Sequence, residues 1–173
     1  QPQSAQKGAR TAECGGQGFD WATTPEQRAQ LWRMRHGAYR ACLALRPGAT
    51  AVVTDVCVPM SHLPEAVAAA AADIRAEGLL GPMVGHVGDG NFHSQILVMP
   101  GDAAELGAAK RVALRMAERA LAVGGTISGE HGIGIGKRPL MAAQHGEALG
   151  PMRAIKQALD PHGIMNPGKL IPD

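Results

Sequence analysis

Apolar and polar positions along this chain follow two rhythms, one with the period of a helix and one with the period of a strand. In TTPEQRAQLWRMRHGAYRACLALRPG, residues Leu31, Met34, Ala38, Ala41 and Leu45 recur at helical spacing and predict one buried stripe. Thr24 can cap that helix, Pro25 suits its first position, and Gly48 ends it after Arg46-Pro47. TAVVTDVCV is β-branched and bounded by Pro59, so it reads as a strand. Ser61 then caps an Ala-rich helix over about residues 62–77, which Gly78 stops. PMVGHV and NFHSQILVM are short apolar runs around Gly88, Asp89, Gly90 and Asn91, a hairpin signal because Asp-Gly readily takes the positive φ of a tight turn. Asp102 with Glu105 three residues later resembles a capping box, opening a helix that ends at Gly124-Gly125, and TIS follows as a brief strand.

In order these elements spell β-α-β-β-α-β, the split pattern of an α+β, ferredoxin-like fold with an antiparallel sheet and helices on one face. A C-terminal helical appendage follows: a helix near residues 137–145, another opened by Pro151 and closed at Asp160-Pro161, and the extended tail NPGKLIPD. The expected organisation is a flexible lead-in over 1–18, a ferredoxin-like domain over 19–128, and a glycine-rich loop with helices and tail over 129–173.

Composition narrows the possible partners. With 173 residues, 45% of them hydrophobic, the chain can bury a real core. Charged residues make up 18%, the formal net charge is +2, and no Lys/Arg run exceeds two, which excludes a nucleic-acid footprint. Cys14, Cys42 and Cys57 cannot all pair with one another, and none stands in a CxxC spacing, so a reducing, cytoplasmic compartment is expected. No stretch approaches 18 consecutive apolar residues. The polar opening run, which starts at Gln1 without an initiator Met, gives the expectation of a chain cut from something longer.

The chemistry gathers in GHVGDGNFH (85–93) and GEHGIGIGK (129–137). A hairpin centred on Asp89-Gly90 places Val87 opposite Phe92 and His86 opposite His93, with the two histidine β-carbons roughly 4.5–5.5 Å apart on one face. Two imidazoles so placed can share a divalent ion, with Glu130 as the natural third ligand; two His and one carboxylate with open positions is a catalytic pattern. The same pair can instead simply pack and hydrogen-bond. In a ferredoxin-like sheet the fourth strand starts at the hairpin's end and runs away from it, so Glu130 must be delivered by a very short strand.

GEHGIGIGK is not a phosphate loop, because His131 and Arg138 break that template. It is not a dinucleotide fingerprint either, since no strand and helix flank it inside a βαβ unit. It leaves a glycine run that either turns the chain or brings backbone close to a ligand. Adjacent residues of an extended segment point opposite ways, so Glu130 and His131 are expected to do different jobs, Glu130 on the metal and His131 free as a general base. Arg35 lies beside the apolar stripe of its helix; it either offers a two-pronged guanidinium to a carboxylate or lies on a solvated face.

Taken together, LWRMRHGAY (31–39), TDVCVP (54–59), GHVGDGNFH, GEHGIGIGK and LDPHGIMNPGK (159–169) resemble the C-terminal region of FAD-linked oxidases of the vanillyl-alcohol-oxidase type. The resemblance is strongest to cytochrome-linked D-lactate dehydrogenases and the glycolate oxidase FAD subunit, with D-2-hydroxyglutarate dehydrogenase as a relative. It implies that His86, His93 and Glu130 bind a divalent zinc or manganese ion, that His131 is the catalytic base and that Arg35 contacts the substrate carboxylate. Asn91 and Gln95 flank the site as substrate-binding support, and Asn166 and Lys169 face the FAD-binding half. The implied reaction is oxidation of a D-2-hydroxy acid to a 2-oxo acid, with hydride passing to FAD and electrons then to a cytochrome- or quinone-linked acceptor, which allows a peripheral membrane association.

In the family that this region resembles, the FAD-binding half lies N-terminal to it. The expectations are that the 173 residues alone bind metal without turning over substrate, and that an exposed apolar face drives oligomer formation. Relatives that take 2-hydroxyglutarate carry a basic residue near Val53, and an uncharged substrate such as lactate or glycolate is therefore implied. A self-sufficient metal hydrolase using the same residues, and a non-catalytic module with a metal clamp, stand as the alternatives.

Overall fold

The computed structural model describes residues 2–19 and 21–172. The chain divides into two compact units, Gln1–Leu45 and Arg46–Asp173, so the boundary falls inside the expected 19–128 domain. In the first unit, Pro2–Glu13 is a helix (α1) where a flexible lead-in is expected; Gln1 lies outside the described residues. The second helix, α2 (Pro25–Ala44), starts as its sequence dictates. Thr24 accepts the Gln27 N–H while the Gln27 side chain reaches back, which satisfies the orphan donors of the first turn. The expected buried stripe is not there. Met34 is 66% and Leu45 59% exposed, and Cys42 is the buried residue of this helix. The unit's described helices are these two, with no sheet under them to bury a stripe.

The second unit carries the sheet. TAVVTDVCV forms β1 (Thr50–Val53) and β2 (Val56–Cys57), interrupted at Thr54 and Asp55. Both pair antiparallel with β4 (Asn91–Val98) in one continuous register, Val53 opposite Gln95 and Val56 opposite Phe92, so Asp55 stands across from His93. On its other edge β4 pairs with β3 (Met83–His86). The expected fourth strand shrinks to a single antiparallel bridge between Thr126 and Cys57. Gln144 takes over there: its side chain accepts the Ile127 N–H at 3.0 Å and donates to Thr126 Oγ1 at 2.9 Å, replacing the ladder that would have continued. The connectivity is nonetheless that of the split β-α-β-β-α-β pattern.

Helices α3 (Leu63–Ala76) and α4 (Ala103–Ala122) pack on one face of the sheet around Phe92, Ile96, Val98, Val112 and Met116. Two start signals resolve differently from expectation. His62, not Ser61, precedes α3, because Met60–His62 first forms a short 3-10 turn. Asp102 does cap α4 through the N–H groups of Ala104 and Glu105. Glu105 turns away from the cap to Met99 N–H and to a two-pronged ion pair with Arg46. Beyond the sheet, α5 (Met141–His145) follows a 3-10 turn, and α6 (Leu149–Leu159) begins two residues before Pro151.

Candidate metal centre and active site

Strand β4 is buried along its whole length and puts two sets of side chains to work. Phe92, Ile96 and Val98 enter the helix-covered core. Asn91, His93 and Gln95 alternate with them on the opposite face, and each carries a buried side-chain atom without a hydrogen-bond partner: Asn91 Oδ1, His93 Nε2 and Gln95 Oε1. Buried polar atoms are rarely left this way, because each costs roughly 1–3 kcal/mol. Such a row along a functional face is what a ligand would complete.

The hairpin does not centre on Asp89-Gly90. His86 pairs with Asn91, and Val84 pairs with His93. The reason is a longer connection: Val87–Asp89 makes a 3-10 turn, and Gly90 closes it at φ +74. Gly90 lies so close to the sheet that a β-carbon there would stand 2.1 Å from the Val58 carbonyl oxygen, which only glycine tolerates. His86 and His93 are therefore diagonal neighbours on one face, with ring centroids 6.0 Å apart and the rings edge to face.

Glu130 completes the group. Its Oε1 lies 3.2 Å from His86 Nε2 and 2.9 Å from His93 Nε2. Thr54 carbonyl oxygen, 3.3 Å from His93 Nδ1, can only accept, which puts a ring proton on Nδ1 and turns Nε2 to the carboxylate. Where a ring nitrogen facing Glu130 carries no proton, the two acceptors repel unless a metal cation lies between them. Ligand atoms about 2.1 Å from a tetrahedral ion stand roughly 3.4 Å apart, near the separations seen. His86, His93 and Glu130 thus form a donor set that could hold a divalent ion.

The residue that brings Glu130 here is Asp55, which sequence reasoning missed. Its side chain is 1% exposed. Oδ2 accepts the Ser128 hydroxyl at 2.8 Å, the Glu130 N–H at 3.1 Å and the His131 N–H at 2.9 Å, while Oδ1 accepts the Asn91 amide at 2.8 Å. Burial pushes the Asp55 carboxyl up, but those four donors together hold it well below the usual carboxylate range. Burial lowers the Lys137 ammonium, against the opposing pull of Asp55. The signal was legible in principle, since a carboxylate inside a β-branched strand needs dedicated partners.

Two consecutive N–H groups on one carboxylate oxygen cannot belong to extended backbone, where they alternate. Residues 129–131 accordingly bend, and the expected divergence of Glu130 and His131 is not seen. The His131 ring lies flat on His93, 4.6 Å between centroids and 10° from parallel, and its Nε2 is 3.9 Å from the same Glu130 oxygen. Both side chains address one centre. Beside it opens a cleft of about 400 Å³ lined by Cys57, His86, Asp89, Asn91, Gly129 and Glu130.

The other expected site residues make local contacts of their own. Arg35 belongs to α2 in the first unit, with its guanidinium 5.1 Å above the Trp32 ring. Asn166, at φ +50, accepts from Lys169 Nζ at 3.2 Å, and the neighbouring Leu170 N–H ties the terminal segment to Gly134 of the glycine-rich loop at 2.9 Å. Asn91 spends its amide on Asp55 and the Val56 carbonyl, which makes it a support of the site. Cys14, Cys42 and Cys57 are all free thiols. No helix among the described residues is long and apolar enough to cross a membrane.

A ferredoxin-like sheet with a His/His/Glu cluster on the face away from α3 and α4 agrees with the family comparison: residues 3–170 match the FAD linked oxidases, C-terminal domain, and the chain belongs to that family. A probable mitochondrial D-lactate dehydrogenase of Danio rerio is 47% identical over 162 residues, which is 93% of this chain and 33% of that protein. The mitochondrial D-lactate dehydrogenase [cytochrome] of Arabidopsis thaliana is 44% identical over 158 residues, 91% of this chain and 28% of that one. The glycolate oxidase subunit GlcD of Bacillus subtilis is 34% identical over 151 residues, 86% and 32% respectively. The chain thus spans about a third of the length of the curated relatives it matches.

Proposed function

We propose that this chain supplies the metal site, the substrate site and the general base of an FAD-dependent D-2-hydroxy acid dehydrogenase that converts D-lactate or glycolate to the 2-oxo acid. The observation that carries the reading is the convergence of His86 Nε2 and His93 Nε2 on one Glu130 oxygen, within 3.2 and 2.9 Å. His86, His93 and Glu130 hold the divalent ion, zinc or manganese. When bound, that ion makes the substrate hydroxyl more acidic, and the flavin accepts the hydride from Cα.

The protein's own part is to place and deprotonate. Arg35 pairs with the substrate carboxylate, for which a planar guanidinium is suited. Gln95, with its unpaired buried oxygen, takes a polar contact from the substrate. His131, half-exposed beside the cluster, takes the hydroxyl proton at Nε2. Asn166 and Lys169, in the terminal segment, face the flavin-binding half of the full-length protein, and electrons leave for a cytochrome- or quinone-linked acceptor. Three free thiols suit a reducing compartment, and such an acceptor accounts for a peripheral membrane association. The hydrolase alternative finds no support in the family to which the chain belongs.

The test is a dye-linked assay of the full-length protein with D-lactate, L-lactate and glycolate, beside His93→Ala and elemental analysis of both. Metal-dependent oxidation of the D-enantiomer or of glycolate, lost with the metal in the variant, is expected. Hydrolytic activity without hydroxy acid oxidation would overturn the reading.

A further inference from the structure

The two halves of the cluster come from elements far apart in sequence. His86 and His93 are fixed by the β3–β4 ladder, whereas Glu130 and His131 sit on a bend beyond the single bridge at Thr126. Asp55 touches both. Its Oδ1 lies 3.5 Å from His93 Nδ1, directly across the sheet, and its Oδ2 collects the Ser128 hydroxyl and the backbone N–H groups of Glu130 and His131. Lys137 adds a third tie, with Nζ 2.9 Å from the Asp55 carbonyl oxygen.

We infer that Asp55 is the positioning residue of the metal centre: its carboxylate holds the 128–131 bend against β4 so that the Glu130 carboxylate and the His131 ring meet His86 and His93. This rests on reading His86, His93 and Glu130 as ligands. A buried carboxylate costs several kcal/mol of desolvation. Asp55 sits in the gap between β1 and β2, and its carboxylate meets that cost with donors from Asn91, Ser128, Glu130 and His131. Close approach is built in as well. A β-carbon on Gly129 would fall 1.9 Å from Asn91 Nδ2 and 3.0 Å from Asp55 Oδ1, so the bend can seat on the carboxylate only because residue 129 has no side chain. A carboxylate behind a ligating histidine orients its ring and raises its basicity. Here the Thr54 carbonyl takes the His93 Nδ1–H, Asp55 Oδ1 lies beside it at 3.5 Å, and through two backbone amides Asp55 aims Glu130.

The experiment is titration of the metal-free full-length protein with Mn²⁺, following free Mn²⁺ and the spectrum of the bound ion by electron paramagnetic resonance, with thermal unfolding alongside. Asp55→Asn keeps the shape but turns one acceptor into a donor facing other donors. It is expected to weaken Mn²⁺ binding by about 10–100-fold and to change the bound-ion spectrum. Ser128→Ala, which removes one of the donors, gives a smaller loss in the same direction and the same spectral change. Wild-type affinity and spectrum in folded Asp55→Asn would overturn the inference; if that variant does not fold, wild-type behaviour of Ser128→Ala overturns it. Glu130→Ala separates the two levels: full Mn²⁺ affinity in that variant sinks the ligand assignment itself, whereas a loss there with no effect at Asp55 removes Asp55 alone.

Discussion

His131 lies flat against His93, with ring centroids 4.6 Å apart, while its Nε2 points past that ring to within 3.9 Å of Glu130. The stack sets the proposed base beside a proposed ligand. His131→Phe keeps an aromatic plane on His93 and removes the nitrogen. We expect it to retain metal binding while turnover falls by about 10²–10⁴-fold, the usual contribution of a general base. Steady-state assay and elemental analysis on the same preparation check this; loss of metal together with activity would make His131 a ligand.

Val53 pairs with Gln95 across β1 and β4 and is 40% exposed. Val53 itself offers no charge to a second substrate carboxylate. Val53→Arg is expected to raise kcat/KM for D-2-hydroxyglutarate relative to D-lactate, and a competition assay reads the ratio. An unchanged ratio would place the specificity contact elsewhere.

Asp73 and Glu77 on and just after α3 face Arg111, Arg115 and Arg119 of α4. Hydrogen bonds from Arg119, working against partial burial, hold the Asp73 carboxyl below its ordinary value, and those from Arg111 and Arg115 do so for Glu77. Folded pKa values lie below unfolded ones, so this stabilisation is present above the unfolded carboxylate range near about pH 4 and is lost as pH falls through the folded values. Tm should fall on acidification below about pH 4, and Glu77→Gln should flatten that fall. An identical pH profile in the variant would show that the pair contributes nothing. These charges are partly solvent-exposed, so added salt should weaken the effect.

Ile96 is fully buried on the helix-covered side of β4. Ile96→Ala removes packed methylenes and leaves a cavity, so a loss of about 2–5 kcal/mol is expected in urea unfolding. Leu159, 75% exposed, is the control. Its change to alanine should stay within about 0.5 kcal/mol.

The amino-acid sequence by itself determined the order of elements, the caps at Thr24 and Asp102, and the pairing of the hairpin strands, because caps, turns and alternation are local chemistry. It also carried the two motifs that hold His86, His93 and Glu130, which the fold brings within reach of one another. The tertiary structure decided the rest. Hairpin register depended on a 3-10 turn at 87–89 that tightened against Val58, which no count from Asp89-Gly90 anticipates. The apolar stripe of α2 was readable as a stripe, but burial needs a partner surface and Met34 and Leu45 remain exposed. Asp55 is the sharpest case. Its position across from His93 follows from register, and its hold on residues 128–131 from a bend more than seventy positions away in the chain, a three-dimensional relation that spacing cannot encode.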